Sequence, residues 1–327
     1  MRRGDRLRRL LRGTLATGLV TGGACVRPLA LLLARWDWRA DLLTVFALPA
    51  VLAAVLAAAC WQARRRPGAA LAFLVAALAQ AAPPLRYAAP NPVAADPARP
   101  ERLRLMLLNV YENSVDHEAV ARLIEAERPD IVGLVEFSYL WLLGLEHTGI
   151  RATYPQRSER ARGYQGVALW SRLAPVRFGR PELAYRDGNP YLTMTFDFAG
   201  RERTLWLLHA PNPLRQPERA TPDLLATGAL IGRTGGSNLV MGDLNRTDGS
   251  PHFAAFAAAL GLRDSRLGFG PQPSWPAWAP YEVAIDHVFV PDDLAVVARR
   301  TGPNVGSDHR AVVIDLAPAR NSATNAR

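Results

Sequence analysis

The chain contains no lysine; all 39 of its basic residues are arginine. That absence reflects genome composition and points to no function. Cysteine is almost missing too. Cys25 and Cys60 both lie in apolar segments, and nothing after residue 60 carries a thiol. A disulfide framework and a thiolate metal site are therefore excluded from the C-terminal two-thirds. No internal repeat is visible. An excess of positive charge is also lacking there: residues 100–327 hold 25 Arg against 25 acids. A broad nucleic-acid groove usually shows a net basic face, so this balance argues against one.

The net charge of +10 belongs to residues 1–99, with 14 Arg against 4 acids. Arginine there flanks apolar runs, which is a topology signal. Leu42–Trp61 is unbroken apolar sequence of the length a membrane-spanning helix needs, about 20 residues, and its Pro49 is tolerable in such a helix. Gly68–Leu85 is shorter and carries Gln80 and Pro83-Pro84. Gly13–Ala34 is the weakest span, interrupted by Arg27-Pro28. The alternative for the two weaker runs is an amphipathic or core helix. The leader MRRGDRLRRLLR and the Arg64–Arg66 loop are basic, whereas RWDWRAD between them is balanced by Asp37 and Asp41. The positive-inside rule then predicts three spans and an extracytoplasmic domain after Leu85 in a bacterial inner membrane; two spans would leave it cytoplasmic. A cleaved signal peptide fits less well, because apolar segments continue past the usual length.

The expected organisation is a membrane region over 1–87, a Pro/Ala-rich extended linker over 88–101, an enzymatic domain over 102–318 and a frayed tail over 319–327. Within the domain, Leu103–Asn109 reads as a buried strand, Asp116 caps a helix over His117–Glu127, and Ile131–Val135 reads as a second strand. Further strands are expected at Gly166–Ser171, Tyr191–Phe198, Thr204–His209, Asn238–Gly242, Ile285–Val290 and Ala311–Ile314. Helices are expected near Pro222–Gly232 and His252–Leu260. The strand–helix–strand pattern indicates an α/β layered domain.

Polar residues recur at the ends of these strands: Asn109, Glu136, His209, Asp243 with Asn245, Asp286, and Asp308-His309. In a layered sheet protein, strand ends on one edge converge on one surface. Carboxylates, amides and imidazoles gathered there suit a hard divalent cation and a phosphate ester. Each has a plainer reading alone: Asp243 and Asn245 as turn formers, Glu136 as a helix start, His209 as a core histidine, Asp308-His309 as an exposed loop. His287 is read as structural. Trp275, Trp278 and Tyr281 in PSWPAWAPYE suit stacking, membrane contact or, preferably, local packing. Arg157, Arg160 and Arg162 suit either a phosphate-rich substrate or a solvated loop.

The strings LLNV (107–110), GLVEF (133–137), GVALWSR (166–172), LLHAPNP (207–213), MGDLN (241–245), IDHVFV (285–290) and GSDHRAV (306–312) occur in that order. Together they resemble the motif set of the endonuclease/exonuclease/phosphatase superfamily, and the preceding apolar segments resemble its bacterial membrane-bound branch. The resemblance implies a DNase I-like fold, a four-layer α/β sandwich, here preceded by transmembrane helices. It implies a Mg²⁺-dependent phosphodiesterase, with Mn²⁺ as possible substitute. It assigns Glu136 to the metal, with Asp308 on the metal side and Asn109 organising the site. It gives Asp243 and Asn245 the positioning of water and phosphate, His309 the acid/base role, and Asp286 the orientation of His309. His209 falls where members carry a second histidine or a tyrosine. The implied partner is a phosphate-ester substrate: nucleic acid, a phosphorylated small molecule or a lipid. No obligate protein partner is evident. A phospholipid or sphingolipid phosphodiesterase is the alternative within the fold, and a non-catalytic tethered module is the alternative outside enzymes.

Overall fold

A computed structural model describes residues 3–174, 176–179 and 191–320. The chain forms two compact units. One runs to Arg86 and includes Asp248–Phe253; the other comprises Tyr87–Thr247 and the chain from Ala254 onward.

The first unit is helical: α1 (Arg3–Leu33), α2 (Trp38–Leu43), α3 (Ala47–Ala63) and α4 (Pro67–Leu85). Two helical stretches, Gly13–Leu33 and Pro67–Ala88, are long and apolar enough to cross a membrane; Ala47–Ala63 is shorter. The expected ranking of the apolar runs changes. Arg27-Pro28 does not break α1, which continues through Pro28. The Arg27 side chain is buried, and its Nε donates to the Thr44 carbonyl. That bond, and the Thr44 hydroxyl donating to the Asp41 carbonyl, fix a turn inside the Leu42–Trp61 run. The run is therefore the end of α2, a bend and most of α3. Ala24, Ala54, Ala57 and Ala77 pack together where α1, α3 and α4 meet. Small side chains there allow close helix approach. Cys25 and Cys60 are free thiols on α1 and α3.

The second unit is a mixed α/β sandwich. Its strands are β1 (Leu103–Asn109), β2 (Ile131–Val135), β3 (Gln156–Arg160), β4 (Val167–Ser171), β5 (Val176–Gly179), β6 (Leu192–Phe198), β7 (Arg201–His209), β8 (Ser237–Asp243), β9 (Arg263–Asp264), β10 (Asp286–Val290), β11 (Leu294–Thr301) and β12 (Val312–Pro318). Two six-stranded sheets form, ordered β11-β12-β1-β2-β4-β3 and β5-β6-β7-β8-β10-β9. Period-two alternation sends Leu103, Leu105 and Leu107 into a core shared with Leu205, Leu207, Met241 and Val288 of the other sheet. Met106, Leu108, Val132 and Leu134 face the opposite way, onto α5 (His117–Glu127) and α6 (Tyr139–His147) through Val120, Ile124 and Trp141. Beyond the second sheet, α7 (Pro217–Arg233) meets α8 (Pro251–Leu260) at Gly228 and Phe256, and the Phe256 ring lies 5.9 Å from Phe289.

Asp116 holds the N-cap position of α5 but makes no side-chain cap bond. Its carboxylate instead abuts Gly306, where a Cβ would clash with it. The Pro/Ala-rich segment lies along the second unit. Tyr87 is buried under Arg266, whose guanidinium carbon is 3.9 Å from the ring centroid. The Tyr87 carbonyl accepts from Gly268 and Gly270. Asn91 Nδ2 donates to the Val296 carbonyl at 2.9 Å, and Ala95 bridges Ala319. Residues 321–327 of the expected tail lie outside the described residues.

Candidate active site

Register brings the strand ends together. β1 and β2 run parallel with Asn109 opposite Val135, so Glu136 emerges beside Asn109. In the other sheet His209 pairs with Asp243 across a parallel ladder, and Asp286 pairs with Asp243 across an antiparallel one. Both sheets thus deliver polar side chains to the same edge of the shared core.

Asn109 joins the two sheets. Its Nδ2 donates to Glu136 Oε1 and to Asp243 Oδ2, each at 3.1 Å. Its own Oδ1 accepts from the Tyr111 amide, and its carbonyl accepts from the Ser307 hydroxyl at 2.6 Å. Glu136 takes a second donor, the Glu112 amide, at 3.2 Å. Tyr111, Glu136 and Asn245 have positive φ of 58°, 57° and 50°. Such backbone is uncommon for non-glycine residues, and its concentration at one edge is characteristic of functional loops.

His309 Nδ1 donates to Asp286 Oδ2 at 2.8 Å, while its Nε2 lies 3.8 Å from Asp243 Oδ2 and 3.9 Å from Asp308 Oδ1. The Asp286 backbone N–H donates to Ser274 Oγ, and Trp275 Nε1 donates to Asp308 Oδ2 at 3.1 Å. Burial opposes charging His309, but the Asp286 carboxylate and hydrogen bond, with Asp243 and Asp308, lift its pKa to about 10. Burial also works against the charge on Asp286, yet His309 holds its pKa below the ordinary carboxylate value. Asp243 is pushed up, by burial first and by the neighbouring Asp286 second. Burial raises Glu136 as well. His209 is fully buried, and burial, then the His309 charge, lower its pKa to about 3. It is a neutral ring, so its 3.9 Å approaches to Glu136 and Asp243 are not ion pairs.

The donor set suits a hard cation. Asp243, Asp286 and His309 present ligand atoms within 4.8 Å of one another. Glu136 and Asp243 share one amide group, an arrangement of two buried carboxylates that a divalent cation would relieve. Asp308 Oδ1 and Asp286 Oδ1 are buried with no hydrogen-bond partner among the described residues. The oxygen donors therefore fit a divalent cation.

All eight candidates lie at this edge, but not all are equally free. Asn245 Nδ2 donates to the Ala210 carbonyl and its Oδ1 accepts from Asn212, leaving one N–H for a ligand. His287 is buried on the other side of β10, its Nε2 donating to the Arg246 carbonyl. Arg157 is satisfied by the carbonyls of Arg151 and Tyr154. Trp275 packs 6.4 Å from His309, centroid to centroid, whereas Trp278 is 75% exposed. Three neighbours carried no sequence signal of their own: Glu112, Ser274 and Tyr164, whose ring lies 4.9 Å from that of His209. Asn212 and Ser307 stood inside recognised strings.

Two packed mixed sheets with a buried carboxylate–imidazole–amide cluster at one edge define a hydrolase-type α/β sandwich. The Endonuclease/Exonuclease/phosphatase family matches residues 106–309, and the chain belongs to that family. No curated protein matches the chain. Among solved structures, Danio rerio TDP2 complexed with a single-strand DNA product is similar at 18% identity and a TM-score of 0.56, covering 66% of this chain and 99% of that one. Truncated Caenorhabditis elegans TDP2 is 14% identical with a TM-score of 0.52, over 68% and 100%. An endonuclease/exonuclease/phosphatase from Bacteroides vulgatus is 16% identical with a TM-score of 0.53, over 67% and 99%. At these identities the likeness concerns the fold.

Proposed function

We propose that this chain is a membrane-anchored, divalent-cation-dependent phosphodiesterase on a four-layer DNase I-like sandwich. The observation that carries the reading is the Asn109 amide joining Glu136 to Asp243, set beside the 2.8 Å Asp286–His309 couple. Glu136 and Asp243, with Asp308 and Asn109 nearby, would hold the cation. When bound, Mg²⁺ or Mn²⁺ would offset charge on the phosphoryl oxygens. The chain's own residues do the rest. Asp286 fixes Nδ1–H of His309, so Nε2–H is directed at the phosphate and available to donate a proton. Asp243, whose Oδ1 accepts from the Asn245 amide, orients the attacking water and takes its proton. The remaining Asn245 N–H donates to a phosphate oxygen. His209, neutral and buried, shapes the wall beside Glu136.

In this reading α1, α3 and α4 span a bacterial inner membrane, and the arginine-rich leader and the Arg64–Arg66 loop lie inside it. The sandwich is then extracytoplasmic. A second reading, a lipid phosphodiesterase, is favoured over a nuclease by one observation. Val115, Leu214 and Trp278 are 71%, 68% and 75% exposed, on the loops that carry Asp116, Asn212 and Ala277. An apolar rim fits an amphiphile better than a polyanion.

The test uses the full-length protein in detergent micelles, with plasmid DNA and lipid vesicles as competing substrates. Hydrolysis is expected with Mg²⁺ or Mn²⁺, and is expected to disappear with EDTA and in Asp243→Ala. Full activity in EDTA would end the metal-dependent reading.

A further inference from the structure

One guanidinium beside the site is held loosely enough to be recruited. Arg215 follows Leu214 on the loop after β7 and is half-exposed. Its guanidinium carbon lies 4.5 Å from the Tyr164 ring centroid, and Tyr164 in turn packs against His209 at 4.9 Å. A single contact of 3.3 Å, Nη1 to Glu112 Oε1, ties it to an acid. Other arginines of the unit are gripped harder. Arg310 donates from Nε and Nη2 to both Glu282 oxygens at 2.8 Å each, and Arg104 engages both Asp315 oxygens.

Glu112 does not depend on Arg215. Its Oε2 accepts the Tyr164 amide at 2.5 Å. Gly163, at φ 52°, leaves space there that a Cβ would narrow to 2.9 Å from the same oxygen. When Arg215 swings away, the Glu112 carboxylate keeps this donor, so no buried charge is left without a partner. The aromatic face of Tyr164 meanwhile holds the planar guanidinium at the rim. The Tyr164 ring also contacts His209, so it links Arg215 to the site. Arg215 thus reaches the site through Tyr164 rather than touching His209, where a group next to the scissile phosphate would lie.

Resting on the phosphodiesterase reading, we propose that Arg215 is a specificity residue that exchanges Glu112 for a second phosphate on the substrate, adjacent to the phosphodiester that is cleaved. Planar guanidinium favours bidentate phosphate contact, which a single carboxylate oxygen at 3.3 Å does not match. The shared chemistry is a phosphomonoester beside a diester, whether on a nucleotide or on a lipid headgroup.

The test compares thymidylyl-thymidine with and without a 5′-phosphate, and glycerophosphoinositol with and without a phosphate on the ring carbon next to the diester. Full-length protein is used throughout. Turnover is followed as kcat/KM, and binding separately by calorimetry. The phosphorylated member of one pair is expected to be preferred about tenfold or more, mainly in KM, as for a charge-assisted contact. The pair that shows the preference identifies the source. In Arg215→Ala that preference is lost, and in Glu112→Gln, which frees Arg215 while keeping an acceptor for Tyr164, it grows. Equal kcat/KM and equal binding within both pairs would overturn the proposal, as would a preference that survives Arg215→Ala. Arg215-dependent binding without turnover of any of the four compounds would instead keep the phosphate contact at Arg215 and remove the hydrolase reading.

Discussion

Asp286 does two jobs at once: it favours the charged form of His309 and it holds Nδ1, which in the proposed mechanism leaves Nε2 for the phosphate. Asp286→Asn keeps the shape and removes both effects, because an amide can present a donor to Nδ1 and stabilise the wrong tautomer. The expected result is a fall in kcat of about 10²–10⁴ with little change in KM, read from steady-state kinetics. A similar loss in KM alone would mean His309 only binds. Away from the site, Asp264 accepts from Arg266 and from the Tyr87 hydroxyl, and the Arg266 side chain is almost wholly buried. Burial works against the Asp264 charge, but Arg266 overrides it and holds the carboxyl well below its usual range. Its folded pKa is thus below an unfolded value of about 3.9. The stabilisation is fully present above pH ~4 and is lost as pH falls toward the folded pKa. Asp264→Asn strands Arg266 and is expected to cost about 3–5 kcal/mol at neutral pH. Its deficit against wild type should shrink below pH ~4, measured by denaturant unfolding across pH.

Among elements, the strands legible from sequence were the interior ones. β1, β2, β4, β6, β7, β8, β10 and β12 are buried runs or clear alternations, and each was expected within a few residues. β3, β5, β9 and β11 were not, and they are the outermost strands of the two sheets. An edge strand has one unpaired side and mixed exposure, so QRSER and VRFG look like loop. α7 was expected from Pro222 but starts at Pro217, because proline is accepted in the first turn and Pro222 is absorbed one turn on. Asn109, Glu136, His209 and Asp243 were legible for a related reason: they end or directly follow interior strands, where a polar residue after an apolar run is conspicuous. Asp286 instead opens β10, and Asp308 and His309 lie in the loop before β12, so the family motifs carried those. Their partners Glu112 and Ser274 lie in connecting loops, and Tyr164 in a single 3₁₀ turn, with no periodicity to betray them. Where the two sheets face each other, Gly133 leaves room for side chains of the opposite sheet. A Cβ there would clash with Met241 and reach 2.9 Å from Leu207 Cδ1. Gly133→Ala is expected to destabilise by about 1–3 kcal/mol, as a lower unfolding midpoint, and to reduce activity by shifting β2 and with it Glu136.

At the scale of the whole molecule, the sandwich begins earlier than its first strand. The Pro/Ala composition of residues 88–101 suggested a spacer, since such sequence has no pattern of its own and gives no sign of what it lies against. Yet Tyr87, Asn91 and Ala95 each have a fixed partner on the second unit: Arg266, the Val296 carbonyl and Ala319. Tyr87 is buried to the extent of a core aromatic. Removing a buried aromatic side chain costs about 3–5 kcal/mol, and here it would also expose the Asp264–Arg266 pair. A fragment starting at residue 102 is therefore expected to unfold at a lower midpoint than one starting at residue 85. Tyr87→Ala in the longer fragment should reproduce most of the difference, because the backbone bonds to Gly268 and Gly270 are retained. Equal midpoints for the two fragments would mean that the segment is a passive tether. If the deficit appears, Tyr87 and the segment after it are part of the sandwich's own fold. Soluble preparations of the domain should then keep that residue.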